Sequence, residues 1–147
     1  MSEAGYSGTP LTKKLGLRPG QAVAFIGVPD DLLWTAEVLA PAEPLRIGSV
    51  ADLPDDVANF DLIWAFCSWE ADLRAAAPRL KAAIKPAGAL WLSWPKKAAK
   101  RPGDITEDTL RAVLLPAGLV DVKVCAVSAV WSGLKFVVPL AQRPGGR

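Results

Sequence analysis

From Phe60 to Lys97 the chain reads FDLIWAFCSWEADLRAAAPRLKAAIKPAGALWLSWPKK, and its apolar positions change period twice. Phe60 to Cys67 is a near-continuous apolar run broken by Asp61, as in a strand covered by helices on both faces of a parallel sheet. Ser68 then offers an N-cap, with Glu70 and Asp72 suited to the positive end of a helix. Trp69, Leu73, Ala76, Ala77, Leu80, Ala83 and Ile84 recur at helical spacing, and Arg74, Arg79, Lys81 and Lys85 fall mainly off that face. Pro86 and Gly88 are expected to stop the helix, and Ala89 to Trp94 to form the next strand. A right-handed strand, helix, strand unit is the expectation, followed by Pro95 and a basic cluster at Lys96, Lys97, Lys100 and Arg101.

The flanks extend this unit. Residues 1–19 hold too few apolar positions for a packed element and read as an arm, anchored by Tyr6 and Leu11. Gln21 to Val28 reads as a strand ended by Pro29, and Asp30 as the N-cap of a helix carrying Leu32, Leu33, Ala36, Leu39 and Ala40 on one face. Leu45 to Val50 is a short strand, and Ala51 to Asn59 a loop or brief turn. Later, Thr106 is an N-cap flanked by the staple pair Ile105 and Leu110, and Leu110, Val113 and Leu114 supply the buried face of a helix ended by Pro116 and Gly118. Val120 to Val130, a turn at Trp131-Ser132-Gly133, and Leu134 to Leu140 predict an antiparallel hairpin. The predicted order is strand, helix, strand, strand, helix, strand, helix, strand, strand. That means a three-layer α/β domain with a mostly parallel sheet of about six strands over residues 20–141 and a loose tail at 142–147.

Composition narrows the chemistry. A chain of 147 residues, 51% hydrophobic, suits one domain, and a formal charge of +2 does not by itself imply a polyanion partner. No apolar run nears the roughly 20 residues that span a bilayer, and the start MSEAGYSG lacks the apolar core of a secretory signal. A cytoplasmic protein without a membrane partner is expected. Cys67 and Cys125 lie in separate apolar runs, which favours reduced core thiols over a disulfide. The chain has 0 histidines, which excludes a histidine-based triad and a typical zinc hydrolase site.

The order, with LGLRPGQAVAFIG entering the first strand, FDLIWAFC as a middle strand, LKAAIKPAGALWLS behind it and a terminal hairpin, resembles the Rossmann-like class I S-adenosylmethionine-dependent methyltransferase fold in a shortened form. More closely, YSGTPLTKKLG, LSWPKK and VCAVSAVWSGLKFV resemble a family of short bacterial proteins grouped as a domain of unknown function, which implies the fold and no established activity. The resemblance implies a glycine-rich cofactor turn after the first strand, but here the turn is Gly27-Val28-Pro29-Asp30-Asp31. Gly27 fits, Pro29 has no N–H to donate, and the carboxylates of Asp30 and Asp31 repel an anionic group. The implied acidic residue at the end of the second strand is also missing, with Asp52 a displaced substitute. The third strand and its helix are absent between Val50 and Phe60.

Ligands of open parallel sheets bind beyond the carboxyl ends of the strands. That rule selects Val28 to Asp31, Cys67 to Trp69 and Trp94 to Lys97 as the lip of any cleft, with Gly27, Asp30, Asp31, Cys67, Ser68, Trp69, Trp94, Lys96 and Lys97 as ligand candidates. Cys67 beside Ser68 at a helix N-terminus is either a thiol nucleophile or a core residue next to a cap. Trp69, Trp94 and Trp131 either stack on a flat ligand or pack. Lys96, Lys97, Lys100 and Arg101, joined by Lys13 and Lys14 if the arm crosses the same edge, would suit phosphate or nucleic acid; a solvated loop neutralised by Asp104, Glu107 and Asp108 is the plainer reading. The expectation is a non-enzymatic binding or regulatory protein on a degenerate methyltransferase-like scaffold, with an unidentified small-molecule or protein partner, no catalytic residue, no metal and no cofactor. An S-adenosylmethionine-dependent methyltransferase is the alternative, and a nucleic-acid- or phosphate-binding protein the second alternative.

Overall fold

The computed structural model describes residues 11–32, 45–53 and 59–139. Strands β1 (Val23–Ile26), β2 (Leu45–Ile47), β3 (Phe60–Phe66), β4 (Ile84–Pro95), β5 (Val120–Ala126) and β6 (Trp131–Val137) form one sheet in the order β2-β1-β3-β4-β6-β5. β2, β1, β3 and β4 run parallel, and β6 pairs antiparallel with both β4 and β5. The helices are α1 (Leu11–Leu15), α2 (Glu70–Ala83) and α3 (Glu107–Leu114).

Alternation along the strands divides the core into two layers. Ala24, Ile26, Ile63, Ala65, Leu90, Leu92, Leu134 and Phe136 pack against Leu73, Ala77 and Leu80 of α2 and Leu110 and Leu114 of α3. Val23, Phe25, Leu62, Trp64 and Trp91 point the other way, under Leu15, Leu17 and Leu32. Burying a side chain such as Leu80 contributes about 1.5–3 kcal/mol. The sheet is therefore covered on both faces, as the near-continuous apolar runs require.

The helix starting at 107 forms as its local sequence dictates. The Thr106 hydroxyl accepts from the Thr109 N–H at 3.3 Å, the Thr109 hydroxyl accepts from the Thr106 N–H at 3.1 Å, and Ile105 and Leu110 are buried around the cap. Four other expectations need correction. Ser68 is not the cap of α2: Trp69 holds that position without a side-chain bond, and Asp104 supplies the acceptor from a distant loop. Pro86 and Gly88 do not separate helix from strand, because β4 begins at Ile84 directly after α2 and runs through both. Gly88 fits because a Cβ there would lie 2.9 Å from the Asp61 carbonyl oxygen and 3.0 Å from that of Phe60.

The hairpin turn lies at residues 127–130 rather than at Trp131-Ser132-Gly133, which belong to β6. The Ser128 hydroxyl closes it by accepting from the N–H groups of Val130 and Trp131, both at 3.1 Å. The arm, finally, is packed at its end. Leu15 and Leu17 are buried, and the Trp91 indole donates to the Leu15 carbonyl at 2.9 Å. The expected anchor at Tyr6, the helix over 33–40 and the tail at 142–147 lie outside the described residues.

Candidate functional site

A cleft of about 510 Å³ opens at the carboxyl ends of β1, β2 and β3, where an open parallel sheet offers unpaired backbone to a ligand. Ile26 ends β1 at its floor. Gly48, Ser49, Val50 and Ala51 follow β2, Ala65, Phe66 and Cys67 end β3, and Asp72, Ala75, Ala76 and Arg79 of α2 form the far wall. Its volume falls within the roughly 300–1,000 Å³ of small-molecule sites. Most of the lining side chains are small, so the strand-end backbone stays accessible.

Gly27 ties the three strand ends together. Its N–H donates to the Ile47 carbonyl at 2.9 Å, and a Cβ there would stand 3.6 Å from the carbonyl oxygens of Gly48 and Phe66. The space would admit a methyl group, but the φ of 69° is what selects glycine. The turn continues through Pro29 into a 3-10 turn at Asp30–Leu32, closed by the Leu32 N–H on the Pro29 carbonyl at 2.9 Å. Asp30 is exposed and does not line the cleft. Beyond β2, Ser49 caps a second 3-10 turn, Val50–Asp52, by accepting from the Ala51 N–H at 3.2 Å. Asp52 is exposed and also off the lining, so Asp72 is the carboxylate among the described lining residues.

Cys67 lines the cleft, with its N–H on the Ser93 carbonyl at 2.9 Å. Burial, helped by the negative charge of Asp72, pushes its thiol up to about 11. At neutral pH it is a protonated, weakly polar wall group, because the thiolate is the nucleophilic form. Ser68 turns away to the neighbouring loop: its carbonyl accepts from the Asp104 N–H at 2.9 Å, and a Cβ on Gly103 would lie 2.6 Å from that same oxygen. The Asp104 carboxylate accepts from the Glu70 N–H at 2.6 Å, so the first turn of α2 carries the protein's own anion. Trp69 stands beside it, 47% exposed.

The other candidates divide between two further cavities. Trp94, Lys96, Lys97 and Arg101 line one of about 430 Å³ at the carboxyl end of β4, together with Asp104, Thr106 and Glu107. Arg101 lies over the Trp131 ring, 5.8 Å from its centroid, while Lys100 holds a left-handed turn (φ 56°) outside that lining. Lys13 lines a cavity at the opposite end of the sheet, and Lys14 acts electrostatically on Cys125. Sequence reasoning missed the contributions of Gly48 to Ala51 and of Asp72, Ala75, Ala76 and Arg79. The clue was the run of small residues on α2, which leaves room beside the strand ends. Among the described residues, no group of three or more Cys, Asp or Glu side chains is placed to hold a metal ion, and no helix is long and apolar enough to cross a membrane.

These features define a class I methyltransferase-like Rossmann fold with β2 at its edge, a C-terminal antiparallel pair, and no further strand between β2 and β3 among the described residues. Solved structures bear this out. The chain is similar to the ribosomal protein L11 methylase of Lactobacillus delbrueckii subsp. bulgaricus (TM-score 0.61, 15% identity, 86% of this chain and 74% of that one). It is similar to a SAM dependent methyltransferase from Aquifex aeolicus (TM-score 0.58, 17% identity, 87% and 88%). It is also similar to the magnesium protoporphyrin IX methyltransferase of Synechocystis PCC 6803, solved with bound SAH (TM-score 0.60, 16% identity, 88% and 80%). No protein-family model and no curated protein matches the chain. The likeness at these identities is one of fold.

Proposed function

We propose that the cleft between β1, β2, β3 and α2 holds S-adenosylmethionine and that the protein is a methyltransferase. The carrying observation is a 510 Å³ cleft of small residues at the carboxyl ends of these three strands, with Gly27 at positive φ drawing the ends together. Support comes from structural neighbours that are methyltransferases by name, one of them with SAH bound. This reverses the expectation of a scaffold without cofactor. In the cleft, Asp72 would accept from ligand hydroxyls, and Ile26 and Val50 would face its apolar surface.

When bound, S-adenosylmethionine supplies a methyl group activated by its sulfonium. The chain's own part is to bind and orient, since the protonated Cys67 thiol does not act as a nucleophile at neutral pH. The acceptor would approach from the neighbouring cavity of Trp94, Lys96, Lys97 and Arg101.

One observation favours a second reading, a binding or regulatory protein on a scaffold that has lost its cofactor turn. Pro29 lacks an N–H, and the exposed Asp30 places a carboxylate at the first turn. Calorimetric titration with S-adenosylhomocysteine separates the two. Micromolar affinity, lost in Gly27→Val and in Ala75→Trp, supports the methyltransferase. Ala75 is exposed on the cleft wall, so its variant fills the cleft without straining the backbone. No heat up to millimolar ligand overturns it and leaves the second reading.

A further inference from the structure

At the amino ends of β1, β3 and β4, opposite the cleft, the arm bridges the sheet and leaves a cavity of about 370 Å³. Leu15, Leu17, Leu62, Ala87 and Ala89 give it an apolar floor, and Lys13, Arg18 and Lys135 are its cations. Its own polar groups are otherwise engaged. The Asp61 carboxylate accepts from the Ala22 N–H at 2.8 Å and pairs with Lys85 at 3.2 Å. Gln21 accepts from the Arg18 N–H at 2.8 Å and donates to the Gly16 carbonyl at 3.2 Å.

Lys135 is out of place by every local rule. It lies in the middle of β6, in register with Trp91 on one side and with Lys123 on the other. Like charges directly opposite on paired strands destabilise a sheet, and burial of a cation without a partner costs more. Its side chain is half-buried and makes no ion pair among the described residues. Burial first, then the charge of Lys123, lowers its pKa. Two unfavourable terms at one position, with no ion pair among the described residues to offset them, mark a residue suited to a partner outside the fold.

We propose that this cavity is a binding site for a small amphiphilic anion, with a carboxylate or phosphate group between Lys13, Arg18 and Lys135 and an apolar body against Leu15, Leu17 and Leu62. It shares no lining residue with the cleft at the carboxyl ends and stands independently of the methyltransferase reading. A monoanion there relieves the Lys123–Lys135 opposition and supplies the missing counter-charge.

The test is a titration of the full chain with octanoate and octyl phosphate, followed by amide NMR shifts, beside co-sedimentation with phosphatidylglycerol and phosphatidylcholine vesicles. Saturable binding that shifts Leu15 and Leu17 and weakens about tenfold or more in Lys135→Met supports the site. Binding of the free amphiphile alone points to a metabolite, and added retention on phosphatidylglycerol vesicles to a lipid headgroup. Lys13→Gln with Arg18→Gln, both exposed, repeats the test without touching the sheet. Absence of binding by both probes, or equal affinity in wild type and Lys135→Met, overturns the proposal.

Discussion

Arg111 and Lys135 flank the same C-terminal hairpin on opposite faces, and the fold treats the two cations differently. Arg111 reaches Asp121 at 2.9 Å, Glu107 at 2.6 Å and Asp108 at 3.5 Å. Lys135 is in register with Lys123 and makes no ion pair among the described residues. The contrast extends to the layers beneath. Under α2 and α3 the core is mainly aliphatic, because two amphipathic helices supply area enough to bury it. Under the short α1 the sheet presents Phe25, Trp64 and Trp91, with Trp131 at the edge, and large rings compensate for a small cover. One face satisfies itself, and the other depends on specific polar contacts and leaves charge over.

The largest effect that would break this contrast is expected at Trp91. Its ring is buried against the arm, and its indole N–H holds the Leu15 carbonyl. Trp91→Ala should cost about 3–5 kcal/mol in urea denaturation and release residues 13–18, seen as lost amide protection. A loss below 1 kcal/mol with the arm still protected would show that the aromatic layer is not what secures the arm.

The two thiols sharpen the comparison next. Cys67 packs against the α2 layer, where burial and Asp72 both raise its pKa, to about 11. Cys125 packs against the other layer; burial raises its pKa while Lys14 and Lys123 pull it down. Iodoacetamide at pH 8 should therefore alkylate Cys125 first. Cys67 should react roughly 100-fold more slowly than in the urea-unfolded chain, because its thiolate fraction falls by that factor between a pKa of 9.0 and about 11. A raised folded-state pKa stabilises the fold fully below pH 9, and that contribution is lost as pH rises towards 11. Equal rates for both thiols by mass spectrometry would contradict the assignment.

Polar bonds inside the aromatic layer come third. The Trp64 indole donates to the Ser93 hydroxyl at 2.8 Å, with both residues buried. Ser93→Ala leaves a buried N–H unsatisfied and should cost about 1–3 kcal/mol. In the background of Trp64→Phe the same change should cost far less, so a double-mutant cycle that shows additivity would deny the bond an energetic role.

The same division separates what the sequence discloses from what it conceals. The succession of β3, α2 and β4, the Thr106 cap and the pairing of the last two strands are legible because each depends on residues within a few positions: an apolar run, a helical period, a threonine flanked by its staple pair; the hairpin's turn, closed by Ser128, is not. The arm is illegible because Leu15 and Leu17 are two apolar residues in a polar stretch, and the group that fixes them, Trp91, is distant in the chain. Asp104 displaces Ser68 as the acceptor at α2 for the same reason, since Gly103 brings its loop against Ser68 only in the folded chain. At the site, the lip residues Cys67, Trp94, Lys96 and Lys97 follow from the strand-end rule. The wall of Asp72, Ala75, Ala76 and Arg79 does not, because its position relative to the loop after β2 is a matter of tertiary packing.

The smallest effect tests the opening contrast directly, and its sign carries the information. Arg111→Met removes a cation from three carboxylates near the surface, so mutual repulsion among Glu107, Asp108 and Asp121 replaces attraction. Exposure and salt limit the loss, and a decrease in Tm of about 2 °C is expected at low ionic strength, shrinking at high salt. Lys135→Met keeps the length of the stem beside Trp91 and removes both the desolvated charge and the opposition of Lys123. Its Tm should hold or rise by a similar amount, most visibly at low salt, where the repulsion it relieves is strongest. Two methionine substitutions of half-buried cations, one on α3 and one on β6, should thus differ in their effect on stability, with only the first lowering it. A fall in both would mean that Lys135 already serves the folded chain; opposite signs leave its charge without a structural use.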